Sequence, residues 1–217
     1  MYNFRNIFIF FFSLLFGTNL LSQNDTNFTH AFYLNGGINF PGKTFLTADE
    51  SEPGPTVSIG YAFYYKYLGL GFTWIGRVNG FDSAATLNND YTNVSYSTNF
   101  LIGPSVFVPA GIKFPLYFSF TFQAGVCSVY LPRTVADGLE LNLAYSKGAG
   151  LTTLFGLSAV SELTPNFCLG ISAGRRTEFA NIPVMVESIS DPDTFEEKNY
   201  EWHYRFDEVS LSFIIKF

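Results

Sequence analysis

With 217 residues, 18 acidic and 12 basic side chains, the chain has the size of one ordinary domain and a net charge of −6. That balance excludes nucleic acid as a partner, because neutralising phosphates needs clustered Lys and Arg. A hydrophobic fraction of 47% with 14% charged residues excludes a disordered chain, and 26 Phe with 13 Tyr exceed what a water-soluble domain needs.

The chain opens with an export leader. Arg5 supplies a positive start, residues 7–16 an apolar run, and residues 17–22 a short exit stretch. The run is too short to span a bilayer as a helix, which takes about 20 apolar residues. Residues 1–22 are therefore predicted to be a cleaved signal peptide and residues 23–217 one β-barrel domain. Loss of Arg5 leaves eleven basic against eighteen acidic residues, a mature charge of −7.

Beyond the leader no 3.6-residue stripe persists, and what recurs is period-two alternation, the mark of strands with two unlike faces. Eight strands are predicted at residues 30–41, 56–65, 68–78, 92–108, 114–131, 149–163, 166–178 and 204–217. The connections alternate in length. Tight turns follow the second, fourth and sixth strands; long loops at residues 42–55, 79–91, 132–148 and 179–203 follow the others. This is the asymmetry of a membrane barrel with short periplasmic turns and long external loops, and an even strand count puts both termini on the periplasmic side.

The two faces divide by residue type. Val57, Ile59, Tyr61 and Phe63 share one face of the second strand, and Phe118, Phe120 and Phe122 share one face of the fifth. The opposite faces carry Gly60, Gly71, Gly103, Gly125, Gly156 and Gly174 among Ser and Thr. A soluble lipocalin-like binding barrel also alternates, but its outer polar face meets bulk water and carries Lys and Glu. A small, uncharged face fits a crowded lumen, where glycines leave room for Tyr33, Tyr64, Tyr117, Arg77 and Arg176. The expectation is an all-β, eight-stranded, antiparallel up-and-down transmembrane barrel with aromatic rims that include Tyr65, Phe107, Phe167 and Phe217 below and Trp74 and Tyr130 above.

The final strand alternates through Val209, Leu211, Phe213 and Ile215 to end in Phe217. This resembles the C-terminal assembly signal of Gram-negative outer-membrane proteins, and the chain as a whole resembles the outer-membrane protein β-barrel family of small porin-like proteins. The resemblance implies residence in the cell outer membrane, contact with its lipid, and insertion by the barrel-assembly machinery. It implies no single activity, because sites rather than folds set function.

Charges facing inward must be paired. Arg176 is expected opposite Glu208, with Glu162 and Lys216 near the periplasmic mouth and Arg77 also in the lumen. Cys127 and Cys168 both face inward at different heights, so free thiols are expected. The two histidines, His30 and His203, fall at opposite mouths. His203 near Asp207 has no nucleophile motif beside it, so no enzyme is expected, and no cofactor or metal centre. The Asp191, Asp193, Glu196, Glu197 run offers oxygen ligands for a loop cation but lacks the spaced glycine turn of a calcium loop. The function expected is a non-enzymatic outer-membrane barrel whose loops contact ligands, lipid or an envelope protein partner, as an accessory of a secretion or uptake complex. The alternative is a narrow conduit for small apolar solutes.

Overall fold

A computed structural model describes residues 28–42, 52–80, 94–110, 115–131, 134–136, 139–141, 146–188 and 191–217. The leader at residues 1–22 lies outside them. Among the described residues ten strands are present: β1 (Phe28–Pro41), β2 (Gly54–Tyr65), β3 (Leu68–Gly80), β4 (Val94–Pro109), β5 (Leu116–Leu131), β6 (Thr134–Ala136), β7 (Leu139–Leu141), β8 (Ser146–Thr164), β9 (Phe167–Ser188) and β10 (Asp191–Lys216). Eight of them close into one antiparallel barrel in the order β1-β10-β9-β8-β5-β4-β3-β2, while β6 and β7 form a separate small hairpin.

Alternation fixes which face looks in. Leu34, Ile59, Phe72, Phe100, Phe122 and Ile171 are exposed on the outside, whereas Ser97, Asn99, Ser105, Ser119 and Gln123 are buried within. An apolar exterior of this extent would drive a soluble protein to aggregate and instead matches acyl chains. Register sets the barrel's width. Following paired residues from Tyr33 through Gly60, Thr73, Leu101, Gly125, Thr152 and Glu178 to Tyr204 climbs the barrel by about ten residues before β1 is reached again. Eight strands with that stagger tilt by roughly 40° and leave an interior that side chains can fill.

Two expectations about the loops are corrected. The stretch at residues 179–203 is largely a β-ribbon, with Asn181 paired to Glu201 and Ile182 to Tyr200, and a bulge near the tip between Asp191 and Phe195. The alternation that made the barrel strands continues through it; Pro183 and the acidic run disguise that continuity in the sequence. Pairing with β8 ends at Asn181 and pairing with β1 at Phe206, so the ribbon stands clear of the barrel by roughly 20 Å at 3.3 Å per residue. Within the stretch at residues 132–148, β6 and β7 pair with each other, and β7 lies against β9.

At the opposite end the chain closes on itself. His30 and Phe217 exchange two backbone hydrogen bonds of 3.0 Å, and their rings stack with centroids 6.0 Å apart. Removing Phe217 deletes the last rung of the β1–β10 seam. A chain ending at Lys216 should lose most of its folded, heat-modifiable form in an assembly assay, while Phe217→Tyr should keep it.

Candidate functional site

The lumen is built in three layers. At the lower mouth Ala31, Ala62, Tyr64, Val160, Cys168 and Ile214 form a buried apolar cluster, with Tyr33 and Phe107 packed against it. Phe107 stacks on Tyr117 at 4.9 Å and meets Tyr64 at 5.8 Å, so it belongs to this plug and not to the external rim expected for it. The parity of β4 is the reason: Phe107 shares a face with Ser105, which is buried. The Tyr33 and Tyr64 hydroxyls hydrogen-bond each other, and Tyr64 reaches Ser105 at 3.0 Å. Below the plug, Lys216 Nζ bonds Glu162 Oε2 at 2.7 Å, and the lysine lies 5.2 Å from the Tyr117 ring. The two partners come from β8 and β10 and meet across the strand that carries Cys168. Beside them opens a vestibule of about 330 Å³, walled by Tyr33, Tyr64, Tyr67, Phe107, Tyr117 and Lys216.

The middle layer is a cavity of about 100 Å³, lined by hydroxyls and glycines such as Ser58, Thr121, Ser158 and Gly156 together with Ile75 and Leu154. Asn35 donates to Ser58 at 2.8 Å, and Ser158 and Ser172 share a hydrogen bond of 2.7 Å. A void of that size with such walls suits a few bridging waters better than an apolar solute.

The upper layer is ionic and carries the residue that inspection of the sequence passed over. Glu178 is fully buried and accepts hydrogen bonds from Arg77 Nη2 at 2.9 Å, Ser97 at 2.7 Å and Asn99 at 3.1 Å. Arg176 Nε lies 3.5 Å from Glu178, and Arg176 Nη2 lies 2.6 Å from Glu208 Oε1, a close ionic contact without hydrogen-bond alignment. Two guanidinium and two carboxylate groups thus balance in a buried setting, as burial of charge requires. The Phe206 ring faces both cations, with Arg77 at 3.9 Å and Arg176 at 5.3 Å. Arg77 also donates to Asn79 at 2.8 Å, and Asn79 to Asn39 at 2.7 Å, tying β3 to β1 above the charges.

The remaining candidates lie apart from this core. His30 is outside the lower mouth, bonded to the Tyr61 hydroxyl, and His203 stacks on Phe179 at 4.4 Å on the exterior. Asp207 is held by Arg175 through contacts of 2.7 and 3.2 Å, so it is committed to that pair and not to His203. Cys127 and Cys168 are free and buried. The backbone at Asp191, Asp193, Glu196 and Glu197 belongs to β10, but their side chains lie outside the described set. Val209, Leu211, Phe213 and Ile215 form one exposed apolar row along β10.

Apolar outside, polar inside and closed edge to edge, the chain is a small eight-stranded transmembrane β-barrel. Among solved structures it is similar to the neisserial surface protein A at 14% identity, covering 88% of this chain and 98% of that one with a TM-score of 0.45. It is likewise similar to Ail, the attachment invasion locus protein of Yersinia pestis, at 9% identity over 88% and 99% of the two chains with a TM-score of 0.46. The outer membrane protein OprG of Pseudomonas aeruginosa matches at 8% identity over 86% and 95%, with a TM-score of 0.43. No protein-family model and no curated protein sequence matches the chain.

Proposed function

We propose that this protein is a non-enzymatic barrel of the outer membrane that works at the cell surface, with its ribbon and loops contacting ligands, lipid or an envelope protein partner. In this reading it serves as an accessory to a secretion or uptake complex, both termini lie in the periplasm, and the assembly machinery reads the row that ends in Phe217. The observation that carries it is the filled lumen. The aromatic plug stands below the central cavity and the Arg77–Glu178–Arg176–Glu208 layer above it, so transport along the axis would have to break both. With the interior committed to structure, the part left for recognition is what projects, and among the described residues the β9–β10 ribbon projects furthest.

The conduit reading draws on one feature, the vestibule that lies beneath Tyr33 and Tyr64. That space ends at the plug, and the cavity beyond it is only about 100 Å³ and studded with hydroxyls. In planar bilayers the purified protein should give no steady ohmic conductance; a stable open level in the wild-type chain would overturn the surface reading in favour of the conduit. A second arm replaces residues 183–200 with a two-residue turn. The barrel should still fold, because the pairing of β9 with β8 ends at Asn181 and that of β10 with β1 at Phe206, outside the excised stretch, and cross-linking to neighbours in native outer membrane should disappear.

A further inference from the structure

Among the described residues, charge on the outward faces of the barrel strands is confined to one sector. Among the described residues, the outward positions of β1 to β5 carry no Lys, Arg, Asp or Glu. Among the described side chains of β8 to β10, the outward charges are Lys147 at the top of β8, Arg175 on β9, and Asp207, Arg205 and Glu201 on β10. Arg175 and Asp207 are half exposed, at 56% and 46%. Register places Thr177 beside Arg205 and opposite Thr153, so Thr153, Arg175, Thr177, Arg205 and Asp207 form a continuous polar island.

The island does not stand above the apolar surface; it interrupts it. Phe155 pairs with Arg175, and Ala173 with Val209 just below, giving an apolar floor. Above, Leu151 pairs with Phe179, whose ring stacks on His203, giving an apolar and aromatic roof. Charge at a lipid-facing position is tolerated only where headgroups reach it. Two guanidinium groups face one carboxylate here, so the island has one positive charge to spare. Asp207 holds Arg175 through Nε and Nη2, and the Arg175 side chain stays 56% exposed beyond that pair. A planar guanidinium presented in this way suits a phosphate oxygen pair.

We propose that the β8–β10 face is a docking site for a phosphate-bearing lipid of the outer leaflet, its phosphate on Arg175 and Arg205 and its acyl chains along Phe155, Ala173 and Val209. The apolar floor selects a lipid over free phosphate, and the cations select an anionic headgroup over a neutral one. The site rests on the transmembrane placement proposed above.

The test uses the full mature protein folded into phosphatidylcholine nanodiscs and presented with diphosphoryl lipid A, its dephosphorylated form, or inorganic phosphate. Native mass spectrometry should show retention of the phosphorylated lipid only. In R175Q/R205Q that retention should fall at least tenfold, while K66Q, which removes a cation at the opposite rim, should leave it unchanged. Equal retention of the dephosphorylated lipid, displacement by inorganic phosphate, or an equal loss in K66Q would overturn the proposal. Heat-shifted gel mobility reports whether each variant is folded, and R175Q alone serves if the double variant is not. A chain that will not enter nanodiscs refutes the placement itself, whereas one that enters and retains no phosphorylated lipid refutes only the site.

Discussion

Glu178→Ala should destabilise the folded barrel by about 3–5 kcal/mol, the usual consequence of leaving buried charge without its counter-ion. Glu178 is the acceptor on which Arg77, Ser97 and Asn99 converge, and it lies 3.5 Å from Arg176. Its removal leaves two guanidinium groups facing Phe206 and one another, with Glu208 the remaining carboxylate of the layer. Glu178→Gln keeps the shape and part of the hydrogen bonding but not the charge, and should fall between wild type and alanine. Urea unfolding in lipid vesicles, followed by tryptophan fluorescence and gel mobility, measures the loss. A joint Arg77→Leu and Glu178→Leu change should recover part of it, because a matched apolar pair removes both desolvation penalties at once. If Glu178→Ala unfolds at the wild-type urea concentration, the ionic layer is not what holds the upper barrel together.

How much of this was visible beforehand differs from one residue to the next. The faces were legible because burial repeats every second residue: Tyr65 and Lys66-Tyr67 mark the first tight turn, and the strand that follows begins at Leu68 in both sequence and structure. Arg176 and Glu208 could be brought together because β9 and β10 are neighbours joined in sequence. Glu178 could not be joined to Arg77 that way. The two are 101 positions apart on non-adjacent strands, and their contact crosses the lumen. Cross-lumen pairs depend on the barrel's stagger, which periodicity does not reveal. Glu178 also stood at the last position of its expected strand, next to the long loop, where nothing in the sequence marks a partner. The ribbon was missed for a related reason: alternation identifies a strand, but Pro183 and the acidic tip carry the composition of a loop.

The same stagger makes the glycines unequal, and this yields the second large effect. Gly150 faces inward on β8, where an added Cβ would lie 1.8 Å from the Phe179 carbonyl oxygen and 2.5 Å from Ala180 Cα. Both obstacles are backbone of the adjacent strand, so no rotamer change relieves the clash, and β8 would have to move off β9. Gly36 faces outward on β1 and meets nothing within 4 Å. Gly150→Val is therefore expected to cost about 3 kcal/mol or more, the upper end of the overpacking range, and to reduce the folded fraction after refolding into vesicles. Gly36→Val should be neutral or slightly stabilising, since it adds a β-branched side chain to a strand in lipid. Composition cannot separate these two substitutions: each replaces a strand glycine with the same residue. Equal losses at both sites would mean that the cost comes from replacing any strand glycine and not from the wall's packing, whereas a loss at Gly150 alone ties the effect to the close approach of β8 and β9.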